Sequence, residues 1–181
     1  MKHLAVAVLL LLSFSSANAQ ISVSGNTITG MGKFHLGDSI SRFTLDLKLP
    51  PNPLYEGQTV YQYQPSLRDS ANSIKIADCY FSSVLLSFDS SNKLTGVCAT
   101  KFYRKSANLT KEAKKDYKAL SSYITNTLHK EGEDKIYHHG MPHTRKTWQK
   151  GNSSLRIETV RHEINTTYVE IELTAKDLFT E

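Results

Sequence analysis

The sequence predicts an α+β fold: an antiparallel sheet with helices on one face, arranged as two tandem halves of one helix plus three strands. Three observations carry this. Ala113, Tyr117, Leu120, Ile124 and Leu128 recur at steps of four and three, which makes one apolar helical stripe. Cys79–Phe88 and Lys93–Tyr103 flank Asp89-Ser90-Ser91-Asn92, a run suited to a turn, and read as a hairpin. Leu155–His162 and Tyr168–Leu173 alternate apolar with polar side chains. Adjacent strands joined by short turns pair antiparallel, and helices that interrupt such a sheet pack on one of its faces.

Composition sets the frame. The chain has 181 residues, a net charge of +5, 39% hydrophobic residues, two Cys and one Trp. Collagen, a coiled-coil rod, a disulfide miniprotein and a disordered chain are excluded. The mean hydropathy of −0.37 excludes a protein of many membrane spans.

Residues 1–19 read as a secretory signal peptide. Lys2 is followed by the apolar run Leu4–Leu12, and Ala17-Asn18-Ala19 forms a small-x-small cleavage site before Gln20. As a helix the run rises about 14 Å, short of a hydrocarbon core of roughly 30 Å. Its removal takes one Lys and no acid, which brings the charge to +4. The expected domain is then 20–181, exported to a periplasm or outside the cell, with pseudo-repeats at about 37–105 and 106–181.

The elements follow in order. Residues 20–36 suggest one or two short strands around Gly25, Gly30 and Gly32. Asp38 or Ser39 is suited to cap a helix carrying Ile40, Phe43 and Leu47, which Pro50, Pro51 and Pro53 would end. Thr59–Gln64 alternates, with Tyr61 and Tyr63 on one face and Val60 and Gln62 on the other. A loop is expected over 65–77, then the hairpin, in which Phe88 faces Leu94 and Val84 faces Cys98. The long helix is expected over Thr110–Glu131, stopped by Gly132. Residues 132–144 are polar and turn-like. Strands follow at Thr144–Gln149, with Trp148 in the core, and over the two alternating segments.

Export also bears on the cysteines. Cys79 and Cys98 would meet an oxidising compartment, where a disulfide worth about 3 kcal/mol can form. The simplest hairpin register points them to opposite faces, and a bulge would lift that obstacle.

Four constellations bear on function. Gly37-Asp38-Ser39 resembles the nucleophile block of GDSL-type lipases and esterases, and the resemblance implies Ser39 as the nucleophile. That family also needs a Gly-x-Asn-Asp block and an Asp-x-x-His block, and this chain has neither. A helix cap explains the same residues. His138, His139 and His143 could ligate zinc, copper or nickel. Against that, adjacent imidazoles diverge, and Lys135, Arg145 and Lys146 disfavour a cation, so a solvated loop is the competing reading. Lys101, Arg104, Lys105, Lys111, Lys114, Lys115 and Lys118 form a basic run. Glu112 and Asp116 interleave, so a solvated helix face accounts for it, and an anionic envelope component is the alternative. Tyr61, Tyr63, Tyr80 and Tyr103 are the candidate binding residues, because tyrosines can build a contact surface. Asn108, Asn152 and Asn165 head glycosylation sequons, which matter only in a eukaryotic secretory host.

The tandem order resembles the β-lactamase-inhibitor-protein class and the related small outer-membrane assembly lipoproteins. Lys33-Phe34-His35-Leu36-Gly37-Asp38-Ser39-Ile40 carries the resemblance locally, with the Phe88-Asp89…Leu94 hairpin. The missing lipid-anchor Cys departs from the lipoproteins. The resemblance implies a non-catalytic fold that offers a sheet surface to a protein. The sequence therefore leads to an exported, soluble, non-enzymatic binding or inhibitor-type domain, without a cofactor, for a protein or anionic partner in the envelope. A hydrolase built on Ser39 and a metal protein built on the histidines are the alternatives. No reader motif points to nucleic acid, and no later stretch would span a bilayer.

Overall fold

The computed structural model describes residues 20–47, 52–55, 58–64, 75–104, 109–137, 143–162 and 166–175. Residues 1–19, which the sequence reads as a leader, most of the 65–77 segment, His138, His139, Asn108 and Asn165 lie outside them.

The chain is mainly β. An N-terminal ribbon of β1 (Ile21–Ser24), β2 (Thr27–Met31) and β3 (Phe34–His35) pairs antiparallel in that order. Next in the chain come β4 (Asn52–Tyr55), β5 (Gln58–Tyr63), a small ribbon of β6 (Lys75–Ile76) and β7 (Cys79–Tyr80), β8 (Ser83–Phe88) and β9 (Leu94–Arg104). Helix α1 (Leu109–Leu128) precedes β10 (Glu133–Tyr137), β11 (His143–Lys150), β12 (Ser153–His162) and β13 (Thr166–Ala175). One eight-stranded antiparallel sheet runs β10-β11-β12-β13-β9-β8-β5-β4. It is two meanders that meet at β9 and β13, and α1 carries the chain from the centre to the far edge.

This corrects the α+β expectation of helices on one face in helix-plus-three-strand halves. Among the described residues there is one α-helix, and the segment expected as the first helix is a single 3-10 turn at Ile40–Arg42. The backbone groups there are bonded elsewhere. Gly37 N donates to Leu94 O (2.7 Å), Leu94 N to Asp38 O (2.8 Å) and Ile40 N to Asn92 O (2.9 Å). Leu47 then bridges to Tyr63. Bonds to the β8–β9 turn thus replace the i→i−4 ladder, and local periodicity loses to tertiary pairing. Phe43 is buried and Ile40 and Leu47 pack against the core, so these side chains turn inward without a helix to align them, while Leu45 is left 96% exposed.

The β8–β9 turn forms as its sequence requires: Asp89 Oδ1 accepts from Ser91 N and Lys93 N, both at 2.9 Å. Phe88 pairs with Leu94 as expected, but Ser87 pairs with Gly96. Thr95 is therefore a bulge residue, and its hydroxyl donates to Ser87 O (3.0 Å). One extra residue moves Val84 opposite Ala99 and Cys98 opposite Leu85.

The core lies on one face of the sheet. Val84, Leu86, Phe88, Val97, Ala99, Leu155, Ile157, Val169, Ile171 and Leu173 are buried there. Ala113, Leu120, Ile124 and Leu128 of α1 close it, with Ile28, Met31 and Phe34 of the ribbon. Each large apolar side chain so buried contributes roughly 1.5–3 kcal/mol of transfer free energy. Trp148 is fully buried and donates its Nε1–H to Lys130 O (3.1 Å), just beyond the helix end. A Cβ on Gly132 would lie 2.7 Å from that indole, so this glycine makes room for the ring. The helix itself ends at Leu128, with His129 at φ 51. The ribbon docks on the β11–β12 turn, where Ser153 Oγ accepts from Ile28 N and donates to Lys150 O, both 2.8 Å.

Candidate binding surface

The second phase of the strand alternation builds the other face of the sheet. No member of the core cluster on β8–β13 points that way. Three of the transverse rows that the strand register sets carry its charges and rings. The first row is Tyr137, His143, Val160, Tyr168 and Phe102. The second is Lys135, Arg145, Glu158, Glu170 and Thr100. The third is Glu133, Thr147, Arg156, Glu172, Cys98 and Leu85.

Arg156 is the hub. Its Nη2 donates to Glu172 Oε2 (2.5 Å) and Glu170 Oε1 (3.3 Å), and its Nε lies 3.8 Å from Glu158 Oε2. Glu158 is buried and also accepts from Arg145 Nε (3.0 Å), with His143 Nε2 3.4 Å from its other oxygen. The Arg145 guanidinium lies over the Tyr137 ring (5.1 Å), which stacks on the His143 imidazole at 4.1 Å. At the other end of that row Phe102, 45% exposed, packs on Tyr168 with centroids 6.0 Å apart.

Partial burial governs the electrostatics. Burial lifts the Glu172 carboxyl above its usual range, while Arg156 opposes the shift. For Arg156, burial pulls down, but Glu172, Glu170 and Glu158 outweigh it and hold the guanidinium more firmly charged. Burial, then Glu170 and Glu172, push the Cys98 thiol well up. A thiol beside two carboxylates is a poor thiolate and so a poor nucleophile. The arrangement suits recognition: fixed charges on rigid strands, flanked by aromatic rings.

A second cluster looks catalytic until its energetics are considered. Asp116 Oδ2 accepts from Lys101 Nζ (2.5 Å), Tyr103 Oη (2.5 Å) and Cys79 Sγ (3.4 Å). Burial, reinforced by Asp116, pushes the Cys79 thiol up to about 12, and the residue is 1% exposed. Burial and the bond to Asp116 likewise push Tyr103 up. For Asp116 burial raises the pKa, but the Lys101 and Tyr103 bonds outweigh it and leave the carboxyl below its usual range. The cluster fastens the β6–β7 ribbon and β9 to the helix and offers no accessible nucleophile.

The residues singled out from sequence fall in several places. Ser39 caps the 3-10 turn, and its Oγ accepts from Ser41 N (3.4 Å) and Ser41 Oγ (3.0 Å). Among the described residues no histidine bonds to it. His143 belongs to the open face and meets Glu158, and His138 and His139 lie outside the described residues. Among the described residues no three His, Cys, Asp or Glu side chains are grouped to hold a metal. The four tyrosines do not share a surface. Tyr63 and Tyr103 are buried, and Tyr63 bonds Lys33 and Asp46. Tyr61 packs on Phe88 at 5.9 Å, and Tyr80 alone is well exposed, under Lys75. Their alternation aims Tyr61, Tyr63 and Tyr103 at the core side of the sheet. Cys79 and Cys98 are free thiols. The bulge brings no disulfide, because Cys79 faces Asp116 on the helix side and Cys98 lies on the open face.

Arg145, Arg156, Glu158, Glu170, Glu172, Phe102 and Tyr168 escape a reading that follows only the apolar phase of each strand. Their signal is the opposite phase: Arg156 and Glu158 against Glu170 and Glu172, once the β12–β13 pairing sets the register. No protein-family model, curated protein or solved structure matches the chain.

Proposed function

We propose that this chain is an exported, non-enzymatic binding domain that meets a protein partner of the cell envelope through the open face of its sheet. The observation that carries the reading is the preorganised array on that face, the Arg156–Glu158–Glu170–Glu172–Arg145 network beside the exposed Phe102 and the half-buried Tyr168. Fixed charges cost little entropy on docking, and aromatic side chains are a common form of energetic anchor. Size supports a macromolecular partner. Strands of ten or eleven residues run about 33 Å, and five strands from β8 to β11 span about 19 Å, or roughly 600–700 Å². One side of a standard protein interface is about 800 Å².

The test is site-specific photo-crosslinking in the producing cells. A photoactivatable residue in place of Phe102 is expected to give one discrete protein adduct, and the same residue in place of Ser90, in the hairpin turn, none. Tyr168→Asp in the first background is expected to suppress the adduct. Equal adducts at the two positions, or no adduct at Phe102, refutes the reading.

A further inference from the structure

Helix α1 carries four lysines and two acids, and the fold separates them. Lys111, Lys114, Lys115 and Lys118 are all exposed on the side away from Ala113, Leu120 and Ile124. Asp116, which in sequence stands among them, turns inward and is spent on Lys101, Tyr103 and Cys79. Among the described residues none of the four lysines is in an ion pair, and Glu112 is the one acid left on that stretch of helix. The solvated-face explanation of the basic run, which relied on local pairing to Asp116, thus loses half its counter-charge.

The shape of the patch narrows the partner. The ammonium groups stand on a convex ridge rising about 10.5 Å from Lys111 to Lys118. All four are lysines, compact point charges without the planar fork that arginine offers to a single carboxylate or phosphate. Among the described residues the ridge carries no aromatic ring for stacking, and the outward residues that continue it, Ala119, Ser122 and Asn126, give no apolar wedge to insert. A groove would grip one chain of a polymer or peptide; a ridge of point charges fits a plane of many phosphates. We infer that the outer face of α1 is an electrostatic contact for the lipid phosphates of an anionic bilayer surface. This contact is separate from the sheet face, which leaves that face clear for a partner while the helix lies on the membrane.

Each lysine close to such a surface strengthens binding about fivefold, so all four together give on the order of several hundredfold. The experiment is sedimentation of the purified chain with vesicles of phosphatidylglycerol and phosphatidylcholine, against vesicles of phosphatidylcholine alone, at 50 mM and 1 M NaCl. Expected is binding to the anionic vesicles only, released at high salt, where the screening length falls to about 3 Å. The K111Q/K114Q/K115Q/K118Q variant is expected to lose that binding with its melting temperature unchanged. If it folds poorly, K111Q/K115Q and K114Q/K118Q are each expected to lose about 25-fold, and K135Q/K150Q to lose little. Equal binding to neutral vesicles, full binding by the lysine variants, or capture of soluble polyphosphate without vesicle binding overturns the inference. Because the vesicles contain no protein, a failed crosslink at Phe102 leaves this result standing, and the reverse holds.

Discussion

Replacing Arg156 by Met removes the one cation that three glutamates share. The side chains of Arg156, Glu170 and Glu172 are 30%, 22% and 26% exposed, and that of Glu158 is 9% exposed. Breaking a buried ion pair from one side costs about 3–5 kcal/mol, and an exposed pair is worth about 0–1. Water reaches this network from one side, so the cost at pH 7 is about 2–3 kcal/mol. With a urea m-value near 2 kcal/mol per M, the unfolding midpoint falls by about 1–1.5 M. The pH dependence separates lost charge from lost packing. Burial already holds the Glu172 carboxyl above its usual value against the pull of Arg156. Without Arg156 that carboxyl rises further, so the folded state takes up its proton at a higher pH than the unfolded chain does. The penalty is therefore full above the folded pKa and shrinks as pH falls through it toward the unfolded value near 4.3. Urea titrations of both proteins at pH 7 and pH 4.5 read this directly. A loss below about 0.5 kcal/mol at pH 7, or an equal loss at both pH values, refutes the reasoning. Adding Glu172→Met should recover part of the loss, because an apolar pair replaces a charge left alone.

Three other outcomes are expected. Asp116→Asn weakens bonds from Lys101 and Tyr103 to a carboxylate and should cost about 1.5–3 kcal/mol at pH 7. Because the Asp116 carboxyl sits below its usual range, its contribution is present above the unfolded pKa and fades as pH falls through the folded one; urea midpoints across pH 2–6 should show a flatter acid limb in the variant. Gly151→Ala should destabilise by about 2 kcal/mol or more, read from thermal unfolding, because an added Cβ would meet Asn26 O at 2.3 Å and φ is +56. Without reductant, a thiol titration of the purified chain should find both Cys79 and Cys98 free in denaturant and slow to alkylate when folded; a missing pair of thiols would contradict their placement on opposite faces of the sheet.

What the sequence shows of the fold depends on where each signal resides. The long helix, the β8–β9 turn and the β12 and β13 strands are legible because their patterns are local: a stripe, an Asp turn, an alternation. Strand β10 is not, since an edge strand with Glu133, Asp134, Lys135 and Ile136 all exposed carries no apolar alternation. The segment after Asp38 misleads in the other direction. Ile40, Phe43 and Leu47 have helical spacing, but Gly37 and Asp38 are pinned to Leu94, Ile40 to Asn92 and Leu47 to Tyr63 by pairings that no local pattern encodes. The candidate surface is hidden for a related reason. Its charges are scattered along β11, β12 and β13 and become an array only when the register aligns them. Tyr63 and Tyr103, conspicuous in sequence, lie in the phase that faces the core.

The meeting of β9 and β13 has a consequence for how the chain must assemble. Thr166 pairs with Arg104 and Thr174 with Gly96, partners about 60 to 80 residues apart, so this seam closes only after α1 and the second meander are in place. Until β13 arrives, the eleven residues of β9 present a long unpaired border that includes Val97, Ala99, Phe102 and Tyr103. A chain emerging from one end thus passes through a stage in which its longest strand is open to any other strand, its own or a neighbour's. Lys101 and Arg104 stand on that strand, and charges of this kind are a means by which an unfinished sheet discourages pairing with a neighbour.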